Sequence, residues 1–173
     1  MKNTKTIVTM GLLIAIGAVL PMFARMIPNG GTLLSPLHIP ALVAGMILGP
    51  VEGVIVGIVC PLLNYAISGM PQGAALLAMC VELPVYGLVS GLLMKGMKKQ
   101  KDVVRVYVSL VCAMILGRIA GGIVQAAILG AGKYSLEIWA ASYFVKTVPA
   151  IVLHLILIPA VYFALKKAKL VNN

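Results

Sequence analysis

Six long apolar stretches run through this sequence of 173 residues and decide the solvent in which it folds. They lie at about residues 7–27, 36–49, 51–68, 73–94, 104–130 and 144–165. A helix needs about 20 apolar residues to cross the hydrocarbon core of a bilayer. Only 10% of the residues are charged, whereas a soluble globular domain carries about 25%. The sequence therefore predicts an all-α integral membrane protein, with one membrane domain over residues 1–173 and a bundle of six transmembrane helices.

The count of six depends on the second and third stretches, which are short. Only the turn GPVEG, residues 49–53, separates them. Five full spans would result if this pair formed a re-entrant hairpin, but six are favoured. The first stretch is longer than the core of a signal peptide, and no small-residue cleavage pattern follows it. It is therefore predicted to be a retained transmembrane helix.

The basic residues predict the orientation of these helices. With six spans, one side of the membrane holds ten of them: Lys2, Lys5, Lys95, Lys98, Lys99, Lys101, Arg105, Lys166, Lys167 and Lys169. The other side holds three: Arg25, Lys133 and Lys146. Because cytoplasmic loops carry the excess of Lys and Arg, both termini are predicted to be cytoplasmic. Topology and anionic lipid headgroups account for the net charge of +10, so no nucleic-acid partner is invoked.

Several polar side chains are predicted to lie at one depth, in the outer half of the bundle. At 1.5 Å per residue, Arg118 lies roughly 20 Å along the fifth helix, and Glu82 roughly 14 Å below the outer surface on the fourth. The polar residues of other helices at a similar level complete the candidate set: His38, Asn64, Tyr65, Tyr86 and Gln125. An ionisable group at this depth is a candidate functional residue. The pattern predicts an outward-open pocket.

Alternative roles compete at each of these positions. Arg118 could pair with Glu82 and lock two helices together, although contact with a ligand is favoured. Asn64 and Gln125 are equally suited to helix-to-helix hydrogen bonds and to ligand contact. His154 lies in a leucine-rich run and is predicted to be a core histidine rather than a ligand contact.

The sequence contains no sign of an active site or of a cofactor. It has no glycine-rich phosphate loop and no spacing typical of metal ligands. No serine or cysteine has the signature of a nucleophile with an adjacent base. The four acidic residues are scattered: Glu52 and Asp102 on the cytoplasmic side, Glu137 outside, and Glu82 in the membrane. The protein is therefore predicted not to be an enzyme, and to bind no metal or cofactor.

Two stretches of sequence resemble a family of membrane proteins. They are HIPALVAGMILGPVEGVIVGIVCPLLNYAISGMP, residues 38–71, and MCVELPVYGLVSGLL, residues 79–93. Both resemble the substrate-binding S components of energy-coupling factor (ECF) transporters, the vitamin importers of bacteria and archaea. The resemblance is to the broad family that contains riboflavin, pantothenate and cobalamin S components, and it covers essentially the whole chain. It implies a multi-pass protein of the bacterial plasma membrane.

The resemblance also implies a mechanism and partners. An S component binds its vitamin in a pocket open to the outside, capped by the loop between the first two helices, here residues 28–35. It then associates with a membrane scaffold subunit and two ATPase subunits, and topples to release its cargo inward. In the first helix, a pattern of small residues docks onto the scaffold, and the matching residues here are Gly11, Ala15 and Ala18. Ordinary packing within the bundle is the alternative for these three.

The identity of the substrate is the least constrained expectation. A membrane-buried arginine suits the carboxylate of pantothenate, which is slightly favoured. If Glu82 neutralises Arg118, a neutral vitamin becomes equally acceptable. The scarcity of aromatic residues disfavours a flavin, while cobalamin, a pyridine vitamin or a purine-like compound stay open. The rival function classes are a small solo transporter or channel, and a membrane scaffold in which Arg118 and Glu82 form a structural ion pair.

Overall fold

A computed structural model describes residues 4–130 and 134–168 of the chain. Its helices are α1 (Thr4–Ala24), α2 (Gly30–Leu34), α3 (His38–Ile47), α4 (Pro50–Ser68), α5 (Gly73–Gly96), α6 (Asp102–Leu129), α7 (Leu136–Ala140) and α8 (Val148–Lys167). Strands are absent from the described residues. Six helices are long and apolar enough to span a membrane, when α2 and α3 are counted together as Gly30–Ile47. The prediction of an all-α membrane protein with six spanning helices is confirmed. Lys2, Lys133 and Lys169, which entered the count of basic residues, lie outside the described residues.

The second apolar stretch forms two helices with a sharp break between them. The stretch at 36–49 was expected to be one helix, but the chain is already helical from Gly30 to Leu34 and breaks at Ser35, where φ is 43°. Pro36 explains the break, because a residue that precedes proline is disfavoured in the right-handed helical region. The break sets the level at which α3 begins, and so fixes the position of its first residue, His38.

Helix α3 is the centre of the bundle. Its ten residues cover about 15 Å, half of the hydrocarbon core, and eight of them are buried. It packs against α1, α4, α5, α6 and α8. Leu42 of α3 joins Val56, Leu83, Leu110 and Ile158 in a fully buried apolar core. This core fills the part of the bundle nearer the two termini.

Glycines bring the backbones of α3, α4 and α5 into contact. A Cβ atom on Gly87 would lie 2.2 Å from the carbonyl carbon of Gly53. A Cβ atom on Gly45 would lie 2.3 Å from the carbonyl oxygen of Gly87. Small residues permit this close approach, which is a main source of helix association in membranes. The three helices therefore pack through their backbones at this level.

Helix α1 lies at the edge of the bundle. Only Leu13, Gly17, Pro21 and Ala24 among its 21 residues are buried, and it packs mainly against α4. Gly11 and Ala15 are exposed, and Ala18 is half-buried. The outer face of α1 is thus left uncovered by the rest of the protein.

A short helix lies between α6 and α8, starting between the fifth and sixth apolar stretches of the sequence. It consists of α7 and a π-helical segment, Ala141–Val145, that continues it. Ser135 caps α7 by accepting a hydrogen bond from the backbone N–H of Ile138. As a result α8 begins at Val148, later than the expected start near residue 144. The segment carries aromatic side chains towards Arg118.

Charged side chains tie the helices together at the end of the bundle near the termini. Asp102 accepts hydrogen bonds from Arg105, at 3.1 Å, and from Lys166 of α8. Arg105 also donates to the backbone carbonyl of Met94, at 2.8 Å, and so links α5 to α6. This end of the bundle therefore pairs some of its cations internally.

Candidate functional site

A cavity of about 550 Å³ opens at the end of the bundle where α1 ends and α8 begins. Five of the seven side chains that the sequence predicted for the site line it: His38, Asn64, Glu82, Arg118 and Gln125. They come from α3, α4, α5 and α6. Five side chains that were predicted to lie at a similar depth therefore line the same cavity.

Glu82 lies at the floor of the cavity and is nearly fully buried. The hydroxyl of Tyr86, one turn later on α5, donates a hydrogen bond to Glu82 Oε1 at 2.7 Å. The ring nitrogen Nε2 of His38 lies 3.3 Å from the same oxygen. Glu82 Oε2 has no hydrogen-bond partner among the described side chains. One carboxylate oxygen is thus held by the protein, and the other is left for a ligand or water.

The two ring nitrogens of His38 together determine its hydrogen bonding. Nδ1 lies 3.1 Å from the backbone carbonyl oxygen of Ser35. A carbonyl oxygen only accepts hydrogen bonds, so Nδ1 carries the hydrogen. Its other ring nitrogen, Nε2, faces Glu82 Oε1, so His38 contacts both α5 and the break that precedes α3.

Arg118 reaches the floor from α6, and its side chain is held on two sides. Its Nε donates to the hydroxyl of Tyr86 at 3.3 Å, and its Cζ lies 5.3 Å from the centre of the Phe144 ring, within cation–π range. Among the described residues, no carboxylate lies within ion-pair distance of Arg118. Tyr86 stands between Arg118 and Glu82, in place of the direct ion pair that was one alternative.

The backbone around Arg118 is fixed by α7. Trp139 Nε1 donates to the carbonyl oxygen of Arg118 at 3.1 Å. The indole fits there because Gly122 has no side chain: a Cβ atom on it would lie 2.2 Å from Trp139 Nε1. Nη1 and Nη2 of Arg118 make no hydrogen bond to the part of the chain that the structure describes. These two nitrogens are therefore unpaired hydrogen-bond donors in the lining of the cavity.

Asn64 is engaged in helix-to-helix hydrogen bonds. Its Nδ2 donates to the carbonyl oxygens of Gly17, at 2.7 Å, and Cys60, at 3.1 Å. Its Oδ1 lies 3.5 Å from Nη2 of Arg25. The bond to Gly17 joins α4 to α1, which is one of the two roles expected for Asn64, and the bond to Cys60 lies within α4.

The remaining predicted residues differ in their relation to the cavity. Gln125 lines it, and its side chain makes no hydrogen bond within the described ranges. Tyr86 is buried behind the lining and acts through Glu82 and Arg118. Tyr65 does not line the cavity, and 47% of its surface is exposed. His154 is buried, as expected, with its ring centre 5.9 Å from that of His38.

Other lining residues were not identified from the sequence. Arg25, which follows the end of α1, was counted only among the basic residues that predict the orientation of the helices, yet it lines the cavity. Ser142, Tyr143 and Thr147 come from the π-helical segment and its C-terminal end. The run LEIWAASYFV, residues 136–145, carries aromatic residues at helical spacing, which is the signal that would have predicted this element.

The segment between α1 and α3 also lines the cavity. Eight of its residues after Arg25 do so: Ile27, Asn29, Gly30, Gly31, Thr32, Ser35, Pro36 and Leu37. This is the loop that the family resemblance assigns to the cap. In the described residues no group of three or more His, Cys, Asp or Glu side chains is placed to hold a metal ion.

Comparison with known proteins gives one match. The family model of the substrate-specific component of ECF transporters matches residues 5–170. No curated protein matches the chain, and no solved structure matches it. The family match covers nearly the whole chain, and the six apolar helices agree with a multi-pass membrane protein. The chain therefore belongs to the family of substrate-specific components of ECF transporters.

Proposed function

We propose that this protein captures a vitamin-sized molecule from outside the cell in the cavity described above. The family to which it belongs supplies the substrate-binding subunit of an importer, which associates with ECF scaffold and ATPase subunits. The observation that carries the proposal is the cavity of about 550 Å³, which lies in the range of small-molecule pockets. Arg118, Gln125 and Glu82 present polar groups to it that the described residues leave unpaired.

The proposed orientation places the cavity mouth outside and both termini in the cytoplasm. The end of the bundle remote from the cavity carries most of the described basic residues, whereas the cavity end carries Arg25 and Lys146. We expect a single cysteine introduced at Lys98, in a background without the native cysteines, to react with a membrane-impermeant maleimide only after cells are opened. A cysteine at Ser135 should react in intact cells. The reverse pattern would overturn the orientation.

The apolar core supports binding rather than conduction. Between the cavity and the other end of the bundle, the described helices are filled by fully buried apolar side chains such as Leu42, Val56 and Leu110. A channel or a solo transporter needs a polar path across this region. The protein is therefore proposed to deliver its cargo through partner subunits.

Pantothenate is the slightly favoured substrate. Among the described residues, the cavity lining contains two arginines, Arg25 and Arg118, and one carboxylate, that of Glu82, which suits an acid. Tyr143 is the one tyrosine in this described lining, and tryptophan and phenylalanine are absent from it, so a flat ligand such as a flavin finds little to stack on.

Native mass spectrometry of the gently purified protein tests the proposal. A panel of vitamins is added after the protein has been freed of endogenous ligand. We expect one compound of the panel to give a bound species of 1:1 stoichiometry, and pantothenate is the first to try. A folded protein that binds nothing in the panel would contradict capture of a vitamin.

The exposed stripe on α1 is the proposed docking surface for the scaffold subunit. Gly11 and Ala15 are exposed and Ala18 is half-buried, so the partner's helix can approach the α1 backbone there. We expect Ala15→Leu to reduce co-purification with the scaffold and ATPase subunits at least fivefold and to leave ligand affinity unchanged. The matched control is Ala127→Leu, an exposed alanine on α6. Equal co-purification of both variants would exclude α1 as the docking surface.

A further inference from the structure

We infer that His38 neutralises Glu82, that Arg118 is thereby left as an uncompensated positive charge, and that the substrate is an organic anion. This inference rests on the proposed function, because it names the class of molecule that the cavity takes. It makes His38 the residue that determines whether the site selects an acid or its neutral counterpart.

The first step is the placement of one proton between His38 and Glu82. With a neutral imidazole beside an ionised carboxylate, a hydrogen on Nδ1 leaves the Nε2 lone pair facing Glu82 Oε1 at 3.3 Å. A hydrogen on Nε2 instead leaves the Nδ1 lone pair facing the Ser35 carbonyl at 3.1 Å. Each arrangement places two acceptors against each other. Both contacts are attractive only if the pair holds one further proton, which makes it neutral overall.

The second step is that this pair is buried. The side chains of His38 and Glu82 are only 7% and 4% exposed, so water that reaches Glu82 Oε2 from the cavity compensates a charge there weakly. A carboxylate in such a position is strongly disfavoured without a counter-charge. The groups that face His38 are Glu82, Ser35, Tyr86 and His154. Glu82 is the one acid among them, so His38 has no other negative partner.

The third step concerns Arg118. Tyr86 is a neutral partner, and the Phe144 ring contributes no net charge. With Glu82 already neutralised, Arg118, whose side chain is almost fully buried, leaves the cavity floor with a positive charge, in addition to that of Arg25 elsewhere in the lining. A carboxylate on Nη1 and Nη2 removes this imbalance through charge-assisted hydrogen bonds. A neutral ligand would displace water from Arg118 without supplying a counter-charge.

The experiment compares acids with their neutral analogues on the purified protein. The probes are pantothenate and pantothenol, nicotinate and nicotinamide, and biotin and biotin amide, measured by titration calorimetry in detergent. For the pair that binds, we expect the acid to bind about 100-fold more tightly, as hydrogen bonds to charged groups imply.

The variants assign this selectivity to His38. His38→Gln keeps a hydrogen-bond donor but cannot supply charge, so Glu82 becomes the counter-charge of Arg118 and selectivity falls at least tenfold. Glu82→Gln removes a group that lines the cavity, so both affinities can fall. It removes the carboxylate together with the charge that His38 balances, so the floor keeps the positive charge of Arg118 and the ratio of acid to neutral affinity is retained. The double variant with His38→Gln and Glu82→Gln has no carboxylate at the floor, so the selectivity lost in His38→Gln is restored. If His38→Gln fails to fold, Glu82→Gln by itself still tests the inference. If Glu82 rather than the ligand balanced the charge of Arg118, this substitution would increase the preference for the acid.

The outcomes separate the two proposals. Absence of binding by every probe to a protein with a cooperative thermal transition overturns the proposed function and this inference together. Equal or tighter binding of the neutral analogue overturns the inference and leaves the proposed function standing. Selectivity that His38→Gln does not change, or that Glu82→Gln increases, also overturns the inference.

Discussion

Arg118→Gln is expected to lower the affinity for the captured ligand about 100-fold, which corresponds to about 2.7 kcal/mol. The guanidinium is buried at the cavity floor, its Nε is held by Tyr86, and its two terminal nitrogens have no partner among the described residues. Removal of a charged donor from such a position costs more than loss of a neutral hydrogen bond. Calorimetric titration of the ligand identified by mass spectrometry measures the change.

Two further variants make this result specific. Arg118→Lys keeps the charge but loses the planar fork, so an intermediate affinity is expected. Lys146→Gln removes an exposed cation at the same end of the bundle and should leave affinity unchanged. An Arg118→Gln protein that binds normally but unfolds at a lower temperature would mean that Arg118 serves only to hold the helices together.

Gly87→Val is expected to destabilise the bundle by about 3 kcal/mol, at the upper end of the usual cost of overpacking. The new Cβ atom would lie 2.2 Å from the carbonyl carbon of Gly53. Backbone atoms cannot rotate away as a side chain can, so α4 and α5 must separate. Glu82 lies on α5, five residues before this contact, and ligand binding should weaken as well.

Thermal unfolding in detergent, followed by circular dichroism, checks this expectation. The control is Gly96→Ala at the end of α5, where an added Cβ atom meets nothing within 4 Å. It should unfold at the temperature of the wild type. Equal unfolding temperatures for the two variants would show that the backbone approach of α4 and α5 contributes little to stability.

Several of the polar residues that line the cavity within the membrane were accessible from the sequence, for a physical reason. In a membrane helix, position along the chain converts to depth at 1.5 Å per residue, and a buried polar side chain is rare enough to be noticed. His38, Glu82, Arg118 and Gln125 were found in this way. Arg25 was missed because a charge at the end of a span is ordinary, and nothing in its sequence context distinguishes the rim of a cavity from a loop.

The partners of these residues were not accessible. Depth says nothing of the direction in which a side chain points, so Arg118 and Glu82 at matching depth suggested a direct pair. In the structure Tyr86 lies between them and His38 reaches Glu82. Likewise Asn64 donates an amide hydrogen to the backbone carbonyl of Gly17, which depends on the position of α1 beside α4.

The sequence by itself determined that this chain is a bundle of six membrane-spanning helices, because a long, continuous apolar stretch satisfies its own backbone hydrogen bonds in a bilayer by forming a helix. Tertiary structure decided what the polar groups do inside it. The break at Ser35 places His38 against Glu82, and α7 places Trp139 and Phe144 around Arg118. These are contacts between distant parts of the chain, and helix rotation and packing, which no single stretch encodes, set them.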